Sequence, residues 1–375
     1  MSEKYLPDKN KQILYGAEFS LYSGKIRSYL RKKGIPYIER LSDLKTYKNF
    51  ILPRTGVKFI PVVQTPDNIV IQDTTEIIDR LEQKFTQNSI YPITPKQKLT
   101  ALLLEVYGDE WLLIPAMHYR WNFPKENIAF IYQEFGRTLY PRCPRFIQKI
   151  KGKKLGKKFK AFVPKLGITQ NSIPAIESSY LQLLRDLNNH FKKHKYLLGN
   201  SPSIGDFGLI APLYAHLYRD LYPRNIMKKT APRVLFWVER MMANKPFSGN
   251  FLPDDEVPES INLILKRMAN EQIPVLLDTS KVLDNWYEKN PNNDIPRMIG
   301  KHIFTLDGVE ENRAVFPYSL WMWQRPYDYY HTLTEEQKLL LKYWLEEVGL
   351  YDALNKPINT RLKRFNNYLL IENFL

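Results

Sequence analysis

Ile60-Pro61-Val62-Val63, followed downstream by Gln72-Asp73-Thr74-Thr75, is the stretch on which the reading of this chain turns. An apolar strand carries a proline where a ladder donor belongs. Proline is tolerated there only as a cis bond or at an edge. The backbone around Ile60 is then left to pair with something outside the sheet. A second short strand, Ile69-Val70-Ile71, runs into an Asp-Thr helix start. The first turn of such a helix offers N–H groups and a hydroxyl to a carboxylate. The turn Thr65-Pro66-Asp67-Asn68 joins the two strands as a hairpin.

Upstream, Gln12–Tyr15 reads as a strand and Gly16–Tyr22 as a loop. A helix then starts near Ser23, passes through Lys25, Ile26, Tyr29 and Leu30, and stops at Gly34. Pro36–Leu41 reads as a further strand. Asp73 opens a helix that buries Ile77, Ile78, Leu81 and Phe85. The order is βαβ followed by ββα.

From Pro95 the periodicity turns helical. Leu99, Leu103, Val106 and Ile114 mark one long helix. Asn171 or Ser172 starts another, with Ile176, Tyr180, Leu183, Leu187 and Phe191 as its apolar stripe. Ser203-Ile204-Gly205-Asp206 has capping-box spacing, and the helix behind it, Phe207–Leu217, is apolar enough to be central. Arg233–Met242 is amphipathic. Beyond residue 255 come a helical stretch over Ile261–Trp286, a hairpin over Lys301–Val315 turning at Asp307-Gly308, an aromatic segment around Trp321-Met322-Trp323, and a helix capped by Thr334.

A chain of 375 residues exceeds one ordinary core, and 44% hydrophobic with 13% aromatic residues supplies ample material to bury. The start Met1-Ser2-Glu3-Lys4 has no apolar run of a secretory signal, and Leu99–Met117 is broken by Glu105, Asp109 and Glu110, so no transmembrane segment is expected. The single cysteine, Cys143, excludes a disulfide framework and a thiolate metal site. Among six histidines only His190 and His194 have a ligand-like spacing, and Lys192, Lys193 and Lys195 repel a cation there, so no metal is expected. A cytoplasmic protein fits.

The net charge of +16 is uneven. Between Arg137 and Lys165 there is no acidic residue, and lysines crowd Lys149–Lys160. This reads as an exposed basic loop, with an anionic-surface contact through Lys149–Lys165 as the sharper reading. Sparse aromatic interleaving argues against nucleic acid.

The set formed by the first strand and helix, the proline strand, Asp73-Thr74 and the Ser203–Asp206 cap resembles the glutathione S-transferase superfamily, in particular large bacterial-type members with a Ser/Cys-type N-terminal motif. The resemblance covers roughly residues 10–250. It implies an α/β plus all-α protein: a thioredoxin-like glutathione-binding domain over 10–88, an all-helical domain over 95–254 with the basic insertion at about 137–168, and a mixed C-terminal extension over 255–375.

The resemblance also implies a glutathione transferase, homodimeric and acting in detoxification, that uses glutathione as co-substrate and conjugates its thiolate to an apolar electrophile. Ser20 matches the family's Ser/Cys position as thiolate stabiliser, Tyr22 its aromatic, and Lys25 and Arg27 its basic positions. Leu21 stands where the family usually has proline. Tyr15 and Ser23 are alternative hydroxyl donors, and helix capping by Ser20 or Ser23 is the structural reading of the same residues. Ile60, before a cis Pro61, pairs with the cysteinyl unit. Thr74 holds the γ-glutamyl carboxylate, Asp73 faces its amine, and Lys58 lies near the cation position for the glycyl carboxylate. Tyr22, Tyr107, Trp111 and His118, with Met117 and Trp121, are candidates to line the second-substrate site, and Trp321–Trp323 to close over it. The rival reading is a non-catalytic glutathione transferase-like scaffold or ligand carrier that uses its basic insertion and extension for interaction.

Overall fold

The computed structural model describes residues 5–291 and 293–372. A four-stranded sheet forms from β1 (Gln12–Gly16), β2 (Tyr37–Leu41), β3 (Val62–Gln64) and β4 (Val70–Gln72) in the order β2-β1-β3-β4. β1 pairs parallel with β2, and β3 runs antiparallel to both β1 and β4. Helix α1 (Leu21–Lys33) makes the crossover between β1 and β2, and the helix Thr74–Lys84 follows β4. The β3–β4 hairpin closes through Thr65 N–H to Ile69 C=O at 2.9 Å, with Asn68 at φ 62°.

Side chains alternate across β1. Ile13 and Tyr15 join Tyr5, Phe50, Ile51 and Val62 in one apolar cluster. Leu14 is fully buried on the opposite face, and Ile26 and Leu30 of α1 and Ile77, Ile78 and Leu81 of the helix Thr74–Lys84 are buried as well. This is the thioredoxin-like arrangement that the βαβ–ββα order predicts, and helices dominate everything after it.

The chain packs as two compact units, each built from several segments: 1–90, 116–162 and 210–249 in one, and 91–115, 163–209 and 250–375 in the other. The segment 95–254 therefore supplies both. In the second unit described residues after 255 contribute to the core. Ile261, Ile264, Leu265, Met268, Leu283 and Leu345 are fully buried.

Several elements differ in detail from the sequence reading. The single long helix from Pro95 is divided into Pro95–Val106, a π-helical turn over Tyr107–Trp111, and Leu113–Trp121. The stretch Ile261–Trp286 is two helices, Glu259–Glu271 and Ile273–Lys289, with Pro274 in the first turn of the second, where its missing N–H costs nothing. The aromatic segment is the helix Pro317–Thr332, with Met322 and Trp323 buried. The basic stretch is not a loop but the helix Arg145–Lys160.

Asp206 does what the capping-box spacing requires. One carboxylate oxygen accepts from Ser203 N–H (2.9 Å) and Ser203 Oγ–H (3.1 Å), and the other from Leu197 N–H (3.1 Å). Asp206 is wholly buried, so Asp206→Ala strands three buried donors. We expect a loss of about 2–4 kcal/mol in chemical denaturation, since each buried unsatisfied polar group costs about 1–3 kcal/mol and the effects overlap.

Candidate functional site

Register places the site. Tyr15, Val62 and Gln72 lie side by side across β1, β3 and β4. Because β1 and β4 run in one direction and β3 in the other, the next row at that end of the sheet is Gly16, Pro61 and Asp73. Beyond Gly16 the chain turns into α1 at Ser20. Beyond Asp73 it turns into the helix Thr74–Lys84. Two helix N-termini and the proline turn thus converge on one sheet end, an arrangement that favours an anionic or thiolate-bearing ligand.

The Ile60–Pro61 bond is cis. The ladder begins at Val62, so Ile60 stands outside it. Ile60 is half-buried, while Lys58 and Phe59 are exposed beside it. Asp73 adopts φ 91°, a region non-glycine residues rarely occupy and one found enriched at ligand sites. Its carboxylate accepts from Thr75 N–H at 2.9 Å and caps the helix. Thr74 is the first helical residue, so its N–H has no acceptor within the helix. Asp73 and Thr74 are each more than nine-tenths buried.

Ser20 is the N-cap of α1, at φ −85° and ψ 125°. Its Oγ accepts from Ser23 N–H at 3.3 Å, which leaves the hydroxyl proton for a second partner. Ser20 is partly exposed and Tyr22 half-buried. The first turn of α1 carries no acidic residue, while Arg31, Lys32 and Lys33 sit in its last turn, so charge placement leaves the positive end of the helix dipole unneutralised.

The two alternative hydroxyls are placed differently. Ser23 is fully buried, and its Oγ accepts from Ala17 N–H at 3.2 Å. Tyr15 is fully buried and stacks on Phe50 with centroids 4.3 Å apart. Its hydroxyl donates to Gln64 Oε1 at 3.0 Å and accepts from Arg40 Nη1 at 3.2 Å. Burial pushes the Tyr15 pKa up, with Arg40 acting against it. Both are tied into the domain, and Ser20 is the exposed hydroxyl of the three.

The basic positions of α1 face inward. Lys25 and Arg27 are both buried. Arg27 forms a two-pronged pair with Glu39, one arm at 2.7 Å, and lies 3.4 Å from Glu18. Burial works against the Arg27 charge, yet Glu39 and Glu18 more than compensate and hold its pKa above the ordinary value.

Of the residues proposed for a second substrate, Tyr22 stands in the first turn of α1, two residues after Ser20. His118 is fully buried, with Nδ1 2.8 Å from Asn122 Nδ2 and its ring against Tyr119 and Phe123. Met117 and Trp121 are buried beside it in sequence. Tyr107 and Trp111 lie in the second unit, where they line a small cavity with Ile114, Ile176, Tyr180 and Leu183. Trp111 Nε1 donates to Glu271 at 2.9 Å, and burial pushes the Tyr107 pKa well above its usual value. Trp323 is core in that same unit.

One group the sequence reading passed over bears on Ser20. Arg120 is buried and bidentate to Asp220, Nε at 2.7 Å and Nη2 at 2.8 Å. Its remaining donors reach two carbonyls, Ala215 at 2.8 Å and Phe19 at 3.1 Å. Phe19 immediately precedes Ser20. His216 is also buried at this point, and burial followed by the Arg120 charge drives its pKa well below the usual imidazole value, which keeps the ring neutral. The signal available in sequence was Arg120 and Asp220 as charges set among aromatic and apolar residues, a pattern that demands a buried partner.

Among the described residues no cluster of His, Cys, Asp and Glu forms a metal site. No described helix is long and apolar enough to cross a membrane.

Residues 14–89 match the family model for the glutathione S-transferase N-terminal domain. Sequence search of curated proteins found no match. Similar solved structures include a glutathione S-transferase from Rhodospirillum rubrum F11, 13% identical, covering 67% of this chain and 97% of its own, with TM-score 0.40. Glutathione transferase GSTFuA3 from Phanerochaete chrysosporium is 14% identical, covering 64% of this chain and 100% of its own, with TM-score 0.43. A glutathione S-transferase from Methylobacterium radiotolerans, solved in complex with glutathione sulfonate, is 15% identical, covering 64% of this chain and 98% of its own, with TM-score 0.38.

Proposed function

With an N-terminal domain of the glutathione S-transferase superfamily as the premise, we propose that the chain binds glutathione at the sheet end formed by Ser20, Ile60-Pro61 and Asp73-Thr74, and conjugates it to an apolar electrophile. The convergence of two helix N-termini and the out-of-ladder Ile60 on one row of the sheet is the observation that supports this most. In this reading Thr74, through hydroxyl and N–H, takes the γ-glutamyl carboxylate, and Asp73 faces the amine. The main chain of Ile60 pairs with the cysteinyl unit, and the exposed Lys58 reaches the glycyl carboxylate.

Ser20 O–H donates to the thiolate at the positive end of α1, lowering the thiol pKa. The thiol proton passes to solvent. The sulfur lone pair then forms a C–S bond as the electrophile's leaving group departs with its bonding electrons. The protein supplies position and thiolate stabilisation. A homodimer in the cytoplasm belongs to the same proposal.

A second reading, a glutathione-binding scaffold without turnover, is favoured by one observation. Tyr107, Trp111 and His118, three of the candidates for an electrophile site, are buried. Measuring glutathione binding and chlorodinitrobenzene conjugation in parallel separates the two. Binding with turnover supports the enzyme, binding without turnover the scaffold, and no binding at millimolar glutathione contradicts both. Thr74→Val removes one hydroxyl without changing shape. The Kd for glutathione, read by isothermal calorimetry, is expected to rise at least about tenfold, as befits a lost hydrogen bond to a charged group.

A further inference from the structure

The helices Pro124–Leu139 and Arg145–Lys160 form a hairpin whose seam is made of glycines. A Cβ on Gly136 would lie 1.9 Å from Gln148 C=O, and one on Gly152 would lie 1.9 Å from Tyr132 C=O. A Cβ on Gly156 would meet the Tyr132 ring at 2.6 Å. The two backbones therefore touch along this seam. At 100° per residue, Phe146, Ile150, Lys154 and Lys157 all lie within roughly 60° of the direction opposite Gly152.

That outer face has an unusual composition. Phe146 is 67% exposed and Ile150 65% exposed, one turn apart on the same face. Arg145 and every lysine from Lys149 to Lys160 are exposed around them. The sequence has no acidic residue between Glu134 and Glu177, so nothing on this helix neutralises the charge. Large apolar side chains standing in water beside cations, on a rigid helix, match the chemistry of a bilayer interface. There an apolar pair enters the acyl boundary and the lysines meet phosphates.

We propose that the outer face of the helix Arg145–Lys160 docks this protein on an anionic phospholipid membrane surface, lying on it without crossing it. Charge complementarity selects the anionic headgroup. Phe146 and Ile150 select lipid over nucleic acid, since an aliphatic chain such as Ile150 offers no stacking platform to a base. This inference is independent of the glutathione site.

The test is flotation of the full chain with vesicles of phosphatidylcholine containing phosphatidylglycerol, against phosphatidylcholine alone, at low salt. Binding is expected to the anionic vesicles only and to be lost in 0.5 M salt. A Phe146→Ser/Ile150→Ser variant and a Lys153→Gln/Lys154→Gln/Lys157→Gln/Lys158→Gln variant, each checked for wild-type melting by circular dichroism, are both expected to weaken partitioning at least about tenfold. Failure of the wild-type chain to float with anionic vesicles overturns the proposal. So does unchanged partitioning of the Phe146/Ile150 variant, or binding to single-stranded RNA or to an acidic protein that outcompetes the vesicles, any of which marks a general polyanion surface.

Discussion

Replacing Ser20 by alanine is expected to lower kcat/KM for chlorodinitrobenzene conjugation by about 10- to 150-fold while changing the Kd for glutathione less than about threefold. The size follows from one hydrogen bond to a charged acceptor, about 1.5–3 kcal/mol, converted at 1.36 kcal/mol per decade. Affinity survives because the γ-glutamyl and cysteinyl contacts proposed at Thr74 and Ile60 are untouched. The pH–rate profile should move to higher pH, since without the Ser20 donor the bound thiol loses a group that favours its ionised form.

Ser20 also caps α1 through Ser23 N–H, so alanine costs about 1 kcal/mol of stability as well. Ser20→Gly resolves the two roles. Glycine caps nearly as well as serine but has no hydroxyl, so it should restore stability and not turnover. Equal turnover in wild type and Ser20→Gly would remove Ser20 from the chemistry.

The second large effect concerns Arg120. Arg120→Met leaves Asp220, wholly buried, without its bidentate guanidinium partner. Burial already pushes the Asp220 carboxyl up, and Arg120 opposes it most, with Arg219 adding to it. Breaking such a pair costs about 3–5 kcal/mol. Chemical denaturation should register that loss, with much of it recovered in the double variant Arg120→Met/Asp220→Leu, which removes both charges.

Turnover should not recover. Arg120 Nη1 donates to the Phe19 carbonyl, and the double variant lacks that donor. The loop that presents Ser20 then loses an anchor, and a misplacement of even about 1 Å can cost about 100-fold in rate. A double variant with wild-type stability and wild-type kcat would mean that Arg120 serves the fold alone.

What was legible from sequence and what was not divides along physical lines. The β3–β4 hairpin was readable because Thr65-Pro66-Asp67-Asn68 is turn chemistry between two apolar runs. The Ser203–Asp206 cap was readable because its partners are three residues apart. Local signals survive in a linear text.

The helix Arg145–Lys160 was not readable as a helix, because its packing face is glycine rather than an apolar stripe, and lysine-rich glycine-containing segments look like solvated loops. Its partner, Pro124–Leu139, was missed with it. The last hairpin, Leu362–Phe365 with Tyr368–Ile371, turns at Asn366-Asn367, both at positive φ. That Asn-Asn pair was a turn signal left unused. Arg120 and Asp220 are 100 residues apart, and no local pattern joins them. Residue type named the hydroxyl candidates of the site, but only burial distinguished partly exposed Ser20 from Ser23 and Tyr15, both committed to internal hydrogen bonds.

A crystal structure of the full chain soaked in millimolar glutathione decides whether this sheet end is the tripeptide site. The tripeptide is expected at the sheet end of Gly16, Pro61 and Asp73. Its γ-glutamyl carboxylate should lie on the Thr74 hydroxyl and N–H, its cysteinyl backbone alongside Ile60, and its sulfur within about 3.5 Å of Ser20 Oγ, the range of a hydrogen bond to sulfur. An unliganded sheet end at that concentration, or glutathione bound elsewhere with its sulfur away from Ser20, would contradict it.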